Sequence, residues 1–130
     1  MSKILLFPSE KDTRASLQLG GSKSISNRLL ILRQALHLDL GIHNLSDSED
    51  TQLLVQILDE VQSGRTFDFN VKHAGTDLRF LTAFLAVQPC NTYTLSGSDR
   101  LKERPIAELL EALKQLGAEI DCLEKKDAPP

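Results

Sequence analysis

Gly21-Ser22-Lys23-Ser24-Ile25-Ser26-Asn27-Arg28 runs straight into Leu29-Leu30-Ile31-Leu32. Glycine, three hydroxyls, a lysine and an arginine thus stand where a helix begins. A helix N-terminus carries unpaired backbone N–H groups and the positive end of the macrodipole. Small residues let an anion come close, and Lys23 and Arg28 add full charges, the arginine able to grip two oxygens at once. The stretch reads as a phosphate site. It is not a nucleotide P-loop, which needs glycine directly before the lysine and another five positions earlier. Here Ser22 precedes Lys23, and Leu17 or Gln18 stands upstream.

Working outward, Leu17 to Leu19 is a short strand candidate, and the helix runs from about Ser24 to Leu36 with Leu29, Leu30, Leu32, Ala35 and Leu36 as its apolar set. Leu40 to Leu45 reads as a strand. Ser46 and Glu49 have capping-box spacing before a helix that carries Leu53, Leu54, Ile57, Leu58 and Val61 on one face and stops at Ser63-Gly64. Thr66 to Val71 alternates as a strand.

A similar order then returns. Ala74-Gly75-Thr76 opens a second small-residue helix start, with Arg79 one turn in. Thr92 to Leu95 is a strand, and Pro105 suits the first turn of a helix bearing Ile106, Leu109, Leu110, Leu113 and Leu116, ended by Gly117. Ala118 to Leu123 closes as a strand. Leu45-Ser46-Asp47-Ser48 recurs as Leu95-Ser96-Gly97-Ser98, each copy between a strand and a helix. That order suggests an internal repeat. Residues 124–130 lack apolar periodicity and read as a linker, and the ending Pro129-Pro130 suggests a longer parent chain.

Composition bounds the function. The 130 residues are 41% hydrophobic and 25% charged, values of a globular domain able to bury a core. Aromatics are only 5%, so Leu, Ile, Val and Ala must fill that core. A net charge of −3 argues against a general nucleic-acid binder, which makes the cations near the glycines local in purpose. Cys90 and Cys122 are isolated and read as buried, reduced thiols. His37, His43 and His73 are too scattered for a metal site. Without a signal-like N-terminus or a membrane-length apolar run, a cytoplasmic protein without membrane attachment is expected.

Three turns therefore carry cations before helices: Lys23 with Arg28, then Arg79, then Lys102 with Arg104. Facing one cleft, they would suit a substrate with several anionic groups. Singly, each has a plainer reading. Arg79 could pair with Asp77, Lys102-Glu103-Arg104 could be a solvated run, and Asp47, Glu49 and Asp50 suit a helix start.

Together, four ordered segments resemble the 5-enolpyruvylshikimate-3-phosphate synthase family: Gly21 to Arg28, Ser46-Asp47-Ser48-Glu49-Asp50-Thr51, Ala74-Gly75-Thr76 with Arg79, and Lys102-Glu103-Arg104-Pro105-Ile106. The resemblance covers nearly the whole chain but about the first third of the family's length. It implies an α/β fold of the α+β type, built from repeated βαβαββ units, here a partial single domain. Residues 1–16 would pack on the family's other domain, and residues 17–123 would form about two repeats of the shikimate 3-phosphate domain.

It implies transfer of the enolpyruvyl group of phosphoenolpyruvate to the 5-hydroxyl of shikimate 3-phosphate, with phosphate release, no metal or cofactor, and usually a monomeric full-length enzyme. Lys23 would be catalytic and touch both substrates. Ser24 and Arg28 would hold shikimate 3-phosphate, and Gly75 and Arg104 phosphoenolpyruvate, with Thr76, Arg79 and Asp50 nearby. His73, Asp77, Phe80 and Gly20 depart from the usual residues, and an inward-facing Asp77 would oppose an anion. The resemblance implies further catalytic groups beyond residue 130, so this piece alone is expected to be inactive. The alternatives are a non-catalytic phospho-ligand or assembly module, and a relative acting on UDP-N-acetylglucosamine, whose usual lysine-asparagine pair is replaced by Lys23-Ser24.

Overall fold

The computed structural model describes residues 4–8, 14–89 and 91–123. Its elements are α1 (Lys23–Ala35), α2 (Glu49–Ser63), β1 (Asp68–Asn70), α3 (Gly75–Leu85), β2 (Thr94–Ser96), α4 (Asp99–Lys102) and α5 (Ala107–Gln115). β1 and β2 pair in parallel, Phe69 opposite Leu95, with α3 in the connection between them. Parallel neighbours need such a crossover. The mixed helix and small parallel sheet agree with the α/β expectation. Among the described residues no helix is long and apolar enough to cross a membrane.

The core lies where α1, α2 and α3 meet the strand pair. Leu30, Leu54, Val71 and Leu81 are fully buried, with Ile57, Leu58, Phe69 and Phe84 around them. Tyr93 closes one edge, edge-on to Phe67 and stacked on Phe69. Gly64 takes a left-handed φ of 62° and ends α2; Gly117, at 97°, follows α5.

Several elements differ from the sequence expectation. Residues 17–19, 40–45 and 118–123 are not strands. A strand needs a neighbour for its backbone groups, and the two-stranded sheet gives them none. Leu17 and Leu19 are accordingly exposed. The α2 cap is Ser48, whose Oγ accepts from the Thr51 N–H at 3.3 Å, rather than Ser46. Ser46 is taken up elsewhere: its N–H donates to Ser26 Oγ at 2.9 Å and its Oγ accepts from the Ser48 N–H, docking the loop on α1. Pro105 lies just before α5, not in its first turn, and its carbonyl is held by Arg79. The cationic run from Arg100 is partly helical, as the single turn α4 that follows Ser98. Cys122 is exposed in the coil after α5, not buried; Cys90 and residues 124–130 lie outside the described residues. The apolar set of α1 is only partly used. Leu30 is buried, whereas Leu29, Leu32 and Leu36 are 43%, 52% and 61% exposed.

Candidate functional site

Close packing brings the starts of α1, α2 and α3 together. At Gly21 an added Cβ would overlap the carbonyl oxygen of Asn44 and the backbone of Leu45 and Ser46, so only glycine lets this loop lie against the start of α1. From that start Asn27 points inward and is fully buried. Its amide donates to Asp77 Oδ1 at 2.6 Å, and its carbonyl accepts from Thr51 Oγ1 at 2.6 Å. Thr51 and Ser48 share a further hydroxyl bond of 3.0 Å. One polar chain therefore ties the cap of α2 to the first turns of α1 and α3, and all of Asn27, Thr51 and Asp77 are at most 1% exposed. Such a network is favourable only when its members are satisfied. Here Asp77 Oδ2 has no hydrogen-bond partner among the described residues.

The charges follow from this frame. Asp77 is pushed up to about 6, chiefly by burial and further by Asp50, while Asn27 and Lys23 pull it back. Its side chain is fully buried beneath the start of α1 rather than open to solvent. It pairs with Asn27 and not with Arg79. The sign for stability is clear. The folded chain holds a proton that the unfolded chain releases near 3.8, so this group's contribution is present below that value and is lost as pH rises through about 6. A shift of this size corresponds to about 3 kcal/mol.

Lys23 Nζ lies 2.8 Å from Asp50 Oδ2, and that bond holds the ammonium pKa above its usual value. Both partners are part-exposed, so the pair itself adds little to stability. Its effect is to fix the position of the Lys23 ammonium at the start of α1. One turn on, Arg28 lies with its guanidinium 5.5 Å from the Phe80 ring centre and donates to the Ser24 carbonyl at 2.8 Å. A cation over an aromatic face is held without losing its charge.

The start of α3 gathers the other cations. Arg79 donates to the Gly75 carbonyl at 3.1 Å and to the Pro105 carbonyl at 2.6 Å, fastening the 104–105 turn to the helix. Arg104 lies across Gly75 so closely that an added Cβ would sit 2.6 Å from Nη1. His73 Nδ1 is 2.8 Å from Ser98 Oγ, joining the turn before α3 to the start of α4. Thr76, at the second position of α3, is half-buried.

The structure thus groups Gly75, Arg79 and Arg104 at one helix start and Lys23, Asp50, Ser24 and Arg28 at another. The Asn27–Asp77 bond joins the two groups. Ser48 caps α2 with its side chain, whereas neither Ser22 nor Ala74 caps α1 or α3. The starts of α4 and α5 likewise carry no side-chain cap, and at α3 the Gly75 N–H donates to the His73 carbonyl at 3.0 Å. Asn27, Thr51 and Asp77 escaped the sequence reading as a unit. The signal was present as an amide, a hydroxyl and a carboxyl in the first turns of three helices, but their convergence is tertiary.

A family model described as EPSP synthase (3-phosphoshikimate 1-carboxyvinyltransferase) matches residues 60–130. A curated 3-phosphoshikimate 1-carboxyvinyltransferase of Bacteroides fragilis (strain YCH46) is 40% identical over 130 residues, covering 100% of this chain and 30% of that protein. One of Cupriavidus taiwanensis is 38% identical over 149 residues, covering 100% and 34%. One of Paraburkholderia phytofirmans is 38% identical over 139 residues, covering 91% and 32%. The chain spans about a third of the length of these relatives. No solved structure matches it.

Proposed function

The chain belongs to the EPSP synthase family, and we propose that it forms the shikimate 3-phosphate wall of a 3-phosphoshikimate 1-carboxyvinyltransferase site. The observation that carries this reading is the Asn27–Asp77 bond, which joins the starts of α1 and α3 where Lys23, Arg28, Arg79 and Arg104 gather. Two small-molecule anions would meet there, in a cytoplasmic enzyme using no cofactor.

In the proposed reaction the 5-hydroxyl of shikimate 3-phosphate gives up its proton as its oxygen bonds to C2 of phosphoenolpyruvate, and the methylene carbon takes up a proton to become a methyl group, giving a tetrahedral intermediate. Loss of one methyl proton and cleavage of the C2–O bond to phosphate, which leaves as inorganic phosphate, restore the enolpyruvyl double bond. Charge on the phosphates must be held throughout, which fixed cations and helix N-termini do without reorganising. Lys23 lies between the substrates, Ser24 and Arg28 hold shikimate 3-phosphate, and Gly75 and Arg104 face phosphoenolpyruvate. Arg79 holds the Arg104 turn in place, Thr76 lies beside the α3 start, and Asp50 keeps Lys23 aimed.

The parallel βαβ segment and the matching places of Ser48 and Ser98, each the residue just before a helix, support a reading of residues 17–123 as about two βαβαββ repeats. Residues 1–16 would then pack on the second domain.

Arg28→Ala tests the assignment. Removing a charge-assisted contact costs about 1.5–3 kcal/mol, so affinity for shikimate 3-phosphate should fall about 10- to 100-fold in calorimetric titration. Arg28 is exposed, so unfolding should be little changed. Unchanged affinity would remove Arg28 from the site.

A further inference from the structure

We propose that Asp77 is a proton-linked positioning residue: in either charge state it accepts from Asn27 and so clamps the start of α1 against α3, and when ionised it also sets a second carboxylate against Lys23 and weakens anion binding. The first half stands on the fold alone; the second rests on the function proposed above.

Asp77 is 0% exposed, and among the described residues its carboxyl has one hydrogen-bond donor, the Asn27 amide. Its other oxygen has no hydrogen-bond partner among the described residues. A buried carboxylate with a single donor is poorly compensated, and the neutral carboxyl is the form such a place favours. The Asn27 amide can donate to either form, so the clamp keeps its geometry while its charge changes.

The groups that face it decide the direction. From α1, Lys23 favours ionisation; from α2, Asp50 opposes it. On α3 itself, Arg79 is committed to the Gly75 and Pro105 carbonyls. Arg104 lies across Gly75, at the start of the same helix. Burial outweighs the attraction of Lys23, and the carboxyl titrates near 6, within the range a cell can reach. As pH rises through that value a negative charge appears beneath the start of α1, where Lys23 already carries the Asp50 carboxylate. Lys23 is then shared between two anions of the protein before any ligand arrives.

The test is a carbon-13 titration of the Asp77 carboxyl in the 130-residue chain, followed together with the Asn27 side-chain amide. Both should move with one midpoint near 6. A midpoint near 4, or an Asn27 amide indifferent to it, overturns the clamp. Calorimetric affinity for shikimate 3-phosphate, measured for the native chain and Asp77→Asn at pH 5 and pH 8, reads the second half. Asparagine keeps the acceptor for Asn27 but cannot ionise. The ratio of the two affinities cancels the ligand's own ionisation. It should be near one at pH 5 and about fivefold in favour of Asp77→Asn at pH 8, the scale of one added charge at partly screened distance. A ratio that stays flat while both proteins bind overturns it. If neither protein binds, the function proposed above fails, and the titration by itself upholds or overturns the clamp. It needs no variant, so it decides the matter even if Asp77→Asn does not fold.

Discussion

Asn27→Ala should destabilise the chain by about 3–5 kcal/mol at pH 8, the scale of breaking a buried pair that involves a charge. Asn27 is fully buried and serves two partners at 2.6 Å each. Thr51 keeps its bond to Ser48, but Asp77 loses its hydrogen-bond donor among the described residues. A domain of ordinary stability has about 5–15 kcal/mol in total, so this one amide decides a large share of it. The deficit should depend on pH with a definite sign. Asn27 lowers the Asp77 pKa, so removing it drives that value further above about 6. The folded variant can then take up a proton in acid, and the loss at pH 5 should be visibly smaller than at pH 8. Urea unfolding at the two pH values checks this. A deficit under about 1 kcal/mol at pH 8 would mean that the buried polar chain does not hold the three helix starts together.

The second large effect concerns turnover. The 130 residues, supplied with phosphoenolpyruvate and shikimate 3-phosphate, should release phosphate at a rate below that of a full-length relative by more than about 10³-fold, since even one missing oxyanion-type donor costs about 10²–10³. The cations assigned to the proposed site, Lys23, Arg28, Arg79 and Arg104, lie near the starts of α1 and α3 and in the 104–105 turn. A one-sided wall leaves the reacting phosphate in water, where these charges are weakly felt. The curated relatives are about three times as long, and the proposed second wall belongs to that further length. A coupled phosphate assay measures it, and turnover within tenfold of a full-length relative would show that this chain carries a complete site.

Reading the sequence succeeded where the chemistry is local. Gly21 to Arg28 announces a helix start, and the helix begins at Lys23, within one residue of the expected Ser24. Gly75 opens α3, and Gly64 ends α2 for a backbone reason visible in one residue. It failed where an element depends on a distant partner. Leu17 to Leu19, Leu40 to Leu45 and Ala118 to Leu123 have strand patterning, yet no strand lies beside them among the described residues. Ser46 and Ser48 are two residues apart with the same chemistry. Which one caps α2 was decided by Ser26, which takes the Ser46 N–H. Asp77 shows the same limit at the site. Its place in the third position of a helix was legible, but whether it faced a ligand or the interior was settled by Asn27, fifty residues away.

The central claim is that the starts of α1 and α3 form one anion-binding wall. Amide chemical-shift mapping by nitrogen-15 NMR, as shikimate 3-phosphate is added to the 130-residue chain, tests it most directly. The largest shifts should fall on Lys23 to Arg28 and on Gly75 to Arg79, saturating together with one dissociation constant and weakening as salt is raised. Shifts confined to other surfaces, or none at millimolar ligand, would contradict it.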